Sequence, residues 1–70
     1  MLRFLRYSLE RQKPIRLMLL TPEGAIRQVK AEVERYTEQE AQLYIIRPPQ
    51  RLTVKLSDIL SADYIPGDDG

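Results

Sequence analysis

The spacing of apolar residues along this chain changes once, at Pro14. Before it, Leu2, Leu5 and Leu9 fall on one narrow arc of a helical wheel. Residues 2–12 are therefore predicted to form a short amphipathic helix whose leucine stripe lies on the core. Pro14 ends this helix, because the residue before a proline avoids helical geometry.

Two β-strands are predicted after the proline. The first, IRLMLL from Ile15 to Leu20, is apolar on both faces and runs into the sequence TPEG, which suits a tight turn. The second, AIRQVKAEVERY, alternates apolar and polar residues through Val29, Ala31 and Val33. Ile26 does not fit this alternation, because it is apolar at a position where a polar residue is expected. A bulge or sharp bend is therefore expected near Arg27 and Gln28, within a long, bent second strand.

The third and fourth strands, AQLYIIR and RLTVKL, flank the sequence RPPQ. Proline fixes φ near −65°, so a two-residue hairpin turn with positive φ is excluded, and a rigid connection of about four residues is expected instead. In the register that this connection favours, Leu43 faces Val54 inside the sheet, and Tyr44 pairs with Thr53 outside. The same connection is expected to hold Arg47 beside Arg51.

The end of the chain is predicted to contain one helical turn and a last strand. Ser57 can cap the turn SDIL, and Ile59 can reach the core. A short strand from Leu60 to Ile65 follows. Residues 66–70 read as a flexible acidic tail, which leaves residues 1–65 as a single domain.

The element order predicts a mainly β fold, in which a short helix precedes a five-stranded SH3-like or Sm-like small barrel with a helical turn before its last strand. Over nearly its whole length the chain resembles the WYL domain: FLRYSLERQKPIRL runs into the first strand, LYI (Leu43–Ile45) stands where that family has its name-giving triplet, and LTVKLSDIL closes the barrel. An apolar residue followed by DIL is also similar to the YolD-like family. The resemblance implies a bacterial regulatory or accessory module that senses a ligand through basic residues.

The amino-acid composition excludes several kinds of catalytic and metal-binding site. The 70 residues include no cysteine and no histidine, so disulfides, the usual zinc sites, thiol nucleophiles and the commonest general base are excluded. Only three glycines are present, and no glycine-rich phosphate loop is formed. We therefore expect a non-enzymatic protein without metal or cofactor. The first residues lack the uninterrupted apolar run of a secretory signal, so a cytoplasmic, non-membrane protein is expected.

Charge is unevenly distributed along the chain. Residues 1–30 hold seven Lys or Arg and two Asp or Glu, whereas residues 31–70 hold four and eight. Two surfaces combine cations with aromatic rings and could stack on and neutralise a nucleic acid. The first candidate is a strand face with Tyr44, Arg47, Arg51 and Lys55, and the second is a helix face with Arg3, Phe4, Tyr7 and Arg11.

Each surface also has a structural interpretation. The strand face could carry charges for solubility, or its apolar groups could pack under the helix, while Phe4 and Tyr7 could lap over the edge of the core.

Two functions follow: a module that binds a nucleic acid or charged ligand through the basic strand face, or a protein-interaction or homo-oligomeric self-assembly module. The doubly apolar first strand and the small core of a 70-residue chain favour the second.

Overall fold

The computed structural model describes residues 1–66, so most of the predicted tail lies outside the described residues. One helix precedes five antiparallel strands that form a single sheet in the order β4-β3-β2-β1-β5. The element bounds are α1 Leu2–Arg11, β1 Ile15–Leu20, β2 Ile26–Tyr36, β3 Glu40–Ile45, β4 Gln50–Lys55, a 3₁₀ turn Leu56–Asp58, and β5 Ile59–Tyr64. The predicted mainly β fold is confirmed. Within residues 1–66 the sheet is open, because no ladder joins β4 to β5.

The core lies on one face of the sheet, here called the inner face, and the helix packs on it at β2 and β5. Alternate residues of the strands point to it, as a period of two requires. The buried apolar side chains are Leu5, Ile15, Leu17, Leu19, Val29, Ala31, Val33, Ala41, Leu43, Ile45 and Ile59. Leu52 and Val54 of β4 pack against this cluster but stay partly exposed, because β4 is an edge strand of the open sheet.

The prediction for the core-facing stripe of the helix is confirmed for Leu5 and wrong for Leu2 and Leu9. Leu5 and Ser8 are fully buried, but Leu2 and Leu9 are 51% and 37% exposed. The helix is rotated because the rings of Phe4 and Tyr7, rather than the outer leucines, cover the end of the core. Large rings bury more apolar surface than leucine, and this favours the observed orientation.

The predicted turn between β1 and β2 is confirmed. The Gly24 amide donates to the carbonyl of Thr21 (2.9 Å), and the Thr21 amide donates to the carbonyl of Ala25 (2.8 Å). Gly24 has φ 85°, a conformation in which glycine avoids the steric cost of a side chain.

The bulge expected near Arg27 and Gln28 is wrong, since β1 and β2 pair without interruption from Leu20 opposite Ile26 to Ile15 opposite Ala31. Ile26 is simply an outward-facing residue and is 61% exposed. The register shifts instead at Val33–Arg35 in the β2–β3 ladder and at Met18–Leu19 in the β1–β5 ladder.

The hairpin between β3 and β4 has the predicted faces in a different register. Leu43 lies opposite Leu52, and Tyr44 lies opposite Arg51, two residues away from the predicted partners. The connection is four residues long, as expected, but it comprises residues 46–49, with a cis peptide between Arg47 and Pro48. A two-residue shift preserves which side chains face inward, and for that reason the hydrophobic pattern could not distinguish the two registers.

The helical turn before the last strand is confirmed, with a different start. It begins after Lys55, and the side chain of Ser57 makes no capping hydrogen bond. The Leu56 amide instead donates to the carbonyl of Gln39 (2.9 Å), which ties the turn to the β2–β3 loop. Ile59 is buried as predicted, although it already belongs to β5.

Candidate functional site

The sheet face opposite the core, here called the outer face, carries the predicted strand site. Residues directly opposite each other in an antiparallel ladder share a face, so the strand registers define this surface. Arg51 of β4 lies opposite Tyr44 of β3, and Tyr44 lies opposite Glu32 of β2. Arg16 of β1 lies opposite Lys30 of β2. The outer face therefore brings together cations from three strands, β1, β2 and β4.

Tyr44 and Arg51 form the centre of the predicted site, and the structure brings them together. The Arg51 guanidinium carbon lies 5.6 Å from the centre of the Tyr44 ring, within cation–π distance. The ring is partly buried, whereas the side chain of Arg51 is 66% exposed. One aromatic ring and one cation are thus adjacent on this face.

Arg51 forms an ion pair with a carboxylate that the sequence analysis did not include. Arg51 Nε donates to both carboxylate oxygens of Glu34, at 3.1 and 3.2 Å. Gln42 Nε2 donates to the same carboxylate at 3.0 Å, and Arg35 Nε donates to Gln42 Oε1 at 2.9 Å. Arg51 therefore belongs to a four-residue polar network and is not an isolated basic group.

A second group of cations lies beyond Tyr44, toward the β3–β4 connection. Lys30 and Arg47 line an open depression of about 510 Å³ together with Gln28 and Ile46. The Ile46 amide donates to the carbonyl of Lys30 (3.0 Å), which holds the connection against β2. Within residues 1–66, neither Lys30 nor Arg47 forms an ion pair.

Arg16 extends this group on the other side of Lys30. Its guanidinium lies 3.7 Å from a carboxylate oxygen of Asp63, a long and solvent-exposed contact. Surface ion pairs of this kind contribute about 0–1 kcal/mol, so Asp63 holds Arg16 only weakly. We call Arg16, Lys30 and Arg47 the basic row.

Arg47 and Lys55 are separated from the predicted centre. Arg47 lies with Lys30 at the depression, while Arg51 contacts Glu34. Lys55 lies opposite Glu40, at the far end of β4 from the β3–β4 connection. The four predicted strand residues therefore divide into a Tyr44–Arg51 pair and two separate cations.

The helix candidates mostly take part in aromatic packing. The rings of Phe4 and Tyr7 each lie 4.8 Å from the ring of Tyr64. The guanidinium of Arg3 lies 4.9 Å from the centre of the Phe4 ring, and that of Arg11 lies 5.8 Å from the centre of the Tyr7 ring. These rings pack on the core edge, as the structural interpretation of this surface expects.

Arg16, Lys30 and Glu34 are the residues that the sequence analysis missed. Lys30 and Glu34 alternate with Val29, Ala31 and Val33 along β2, but their neighbours depend on the order of strands and on the register shift after Val33. No signal in the sequence identifies Arg51 as the partner of Glu34, 17 residues away. Lys30 could have been identified by alternation along β2, because it lies on the same strand face as Glu32.

Neither a metal centre nor a membrane-spanning helix is found in the described part of the chain. No group of three or more acidic residues is arranged to hold a metal ion within residues 1–66. The only helix described there, Leu2–Arg11, is too short and too polar to cross a membrane.

Comparison of the chain with protein-family models, with curated proteins and with solved structures gives no match. The resemblance to the WYL and YolD-like families therefore stays a prediction.

Proposed function

We propose that this chain is a non-enzymatic binding module that contacts single-stranded nucleic acid through the outer face of its sheet, in the regulatory or accessory role that its WYL-like sequence implies. One observation carries the proposal. Lys30 and Arg47 line the same open depression without an acidic partner among the described residues, and the connection that carries Arg47 directly follows the strand of Tyr44.

The basic row supplies the electrostatic part of such binding. Each Lys or Arg that contacts a phosphate releases condensed counterions, and this release drives association at low salt. Arg16 and Lys30 are neighbours across two strands, and Arg47 continues the row from the connection. Three neighbouring cations suit a single nucleic acid backbone that passes from one to the next.

Tyr44 supplies the second part, since an aromatic ring can stack on any base without selecting its sequence. Ile46 follows Tyr44 by two residues, at the start of the β3–β4 connection, and lines the depression beside Lys30. A nucleotide with its phosphate at Lys30 would have its base within reach of this pair.

The acidic neighbours favour a single strand over a duplex. Glu32 and Glu34 lie on the same face as Tyr44, beyond the basic row. A duplex carries about one negative charge per 1.7 Å and would bring its second backbone close to these carboxylates. A single strand can follow the basic row and avoid them.

The test is fluorescence anisotropy with a labelled oligothymidine of about 12 nucleotides, a length within the usual site sizes for single strands. The K30A/R47A variant is expected to bind more weakly than the wild type. The slope of log K against log salt should fall by about 1.4, since each lost phosphate contact removes roughly 0.7.

The matched control is R6A/K55A, which also removes one arginine and one lysine. Both residues are exposed and form no ion pair within residues 1–66, and neither belongs to the basic row. This variant should bind about as well as the wild type. Equal losses in the two double variants, or no binding by the wild type at low salt, would refute the proposed function.

Self-assembly is the second candidate, and an exposed aliphatic patch favours it. Leu20 and Ile26 are direct partners at the end of the β1–β2 ladder and are 40% and 61% exposed. Leu60, 47% exposed, lies at the register shift between β1 and β5. The patch borders the free edge of β5, and exposed apolar surface beside an unpaired strand edge is typical of an interaction surface.

Light scattering over a range of concentrations tests this candidate. Association is expected to be weakened in an I26T/L60S variant, which shortens the aliphatic side chains without touching the core. A wild-type chain that remains monomeric up to millimolar concentration would exclude self-assembly through this patch.

A further inference from the structure

Arg51 lies over the Tyr44 ring and its side chain is 66% exposed, yet its charge is already paired within the chain. Its Nε atom contacts both oxygens of Glu34, and the carboxylate is only 30% exposed. The amide of Gln42 donates to one of the same oxygens and holds the carboxylate from a second side. Glu34 therefore cannot move away from Arg51 without losing two sets of hydrogen bonds.

The basic row differs from Arg51 in this respect. Lys30 and Arg47 have no carboxylate partner within residues 1–66, and Arg16 has only the 3.7 Å contact with Asp63. A phosphate that approached Arg51 would compete with Glu34 for the guanidinium and would meet the repulsion of its negative charge. A phosphate at Lys30 and Arg47 meets no such competitor.

We propose that Glu34 determines where a nucleic acid backbone binds on the outer face, because it withholds Arg51 from phosphate and leaves the basic row to make the contacts. This inference rests on the proposed function. Glu34 is thus a residue that sets the position and strength of binding without itself contacting the ligand.

The expected size of the effect follows from the exposure of the pair. An ion pair as exposed as this one contributes at most about fivefold to an equilibrium, and this is the factor that a phosphate has to overcome. If Glu34 is made neutral, Arg51 becomes available for one further phosphate contact. That contact adds roughly 0.7 to the steepness of the salt dependence on a single strand.

The experiment compares E34Q with E32Q in the oligothymidine anisotropy assay. Both substitutions remove one negative charge from the outer face of β2, but Glu32 forms no ion pair with a residue among positions 1–66. We expect E34Q to bind about fivefold tighter than E32Q, with a salt slope steeper by about 0.7. Addition of R51A to E34Q should remove the difference.

The outcomes separate this inference from the proposed function. Wild-type binding that depends on Lys30 and Arg47, together with equal affinities for E34Q and E32Q, would overturn the role of Glu34 alone. A difference that persists in E34Q/R51A would overturn it as well. If the wild type and both glutamine variants fail to bind at low salt, the proposed function and this inference are both wrong.

Discussion

Ser8 is the residue whose replacement should reveal most about how the helix is held on the sheet. It is the one fully buried polar side chain among the described residues, and its hydroxyl makes two hydrogen bonds. The Oγ atom donates to the carbonyl of Lys13 at 2.7 Å and accepts from the amide of Val33 at 2.9 Å. Ser8 thus joins the end of α1 to the register shift of β2.

The magnitude follows from the two groups that Ser8→Ala would leave without a partner. The Val33 amide is buried, and an unsatisfied buried group costs about 1–3 kcal/mol. The Lys13 carbonyl is partly buried, so water can replace part of its lost bond and the cost there is smaller. We expect the free energy of unfolding to fall by about 2–3 kcal/mol.

Urea denaturation followed by circular dichroism measures this change. A 70-residue domain has a total stability of only about 4–10 kcal/mol, so the loss should be a large fraction of it. Ser57→Ala is the matched control, because Ser57 is exposed and its hydroxyl makes no capping bond. A loss below about 0.5 kcal/mol for Ser8→Ala, the range of ordinary surface changes, would refute the reasoning.

Four further substitutions test the fold. Leu43→Ala should lower the free energy of unfolding by about 2–5 kcal/mol in urea denaturation, because Leu43 is fully buried; a loss below 1 kcal/mol would contradict its place in the core. Gly24→Ala should cost about 1–2 kcal/mol through its positive φ alone, since no atom lies within 4 Å of the added Cβ. Tyr64→Leu should cost about 1–3 kcal/mol by thermal unfolding, because two ring contacts are lost. Ile26→Thr should change stability by less than about 0.5 kcal/mol, and a larger loss would show that Ile26 is buried.

The strands could be predicted because their patterns are local. Alternation at Val29, Ala31 and Val33 identified the buried face of β2, and the proline and glycine of the first turn marked the end of β1. Such signals depend on residues close in sequence, and the fold confirms them. The orientation of the helix depends instead on Tyr64, more than 50 residues away, whose ring attracts Phe4 and Tyr7.

The candidate site shows the same division. Tyr44 and Arg51 could be placed on one face from alternation, but their direct pairing depends on a register that hydrophobicity leaves open by two residues. The partner of Arg51 could not be predicted, because Glu34 reaches it across β3 through the order of the strands. Ion pairs between distant residues have no short-range pattern in the sequence.

The sequence by itself determined the mainly β class, the number of strands, their inward faces and the lack of cysteine and histidine chemistry, because periodicity and composition are properties of the chain. For residues 1–66, tertiary structure alone decided that the sheet is open and which of the outer-face cations have an acidic partner. Charge distribution on a surface depends on contacts between strands, and these exist only after folding. For that reason the surface that we propose for nucleic acid binding is the basic row of Arg16, Lys30 and Arg47, of which the sequence analysis had named only Arg47.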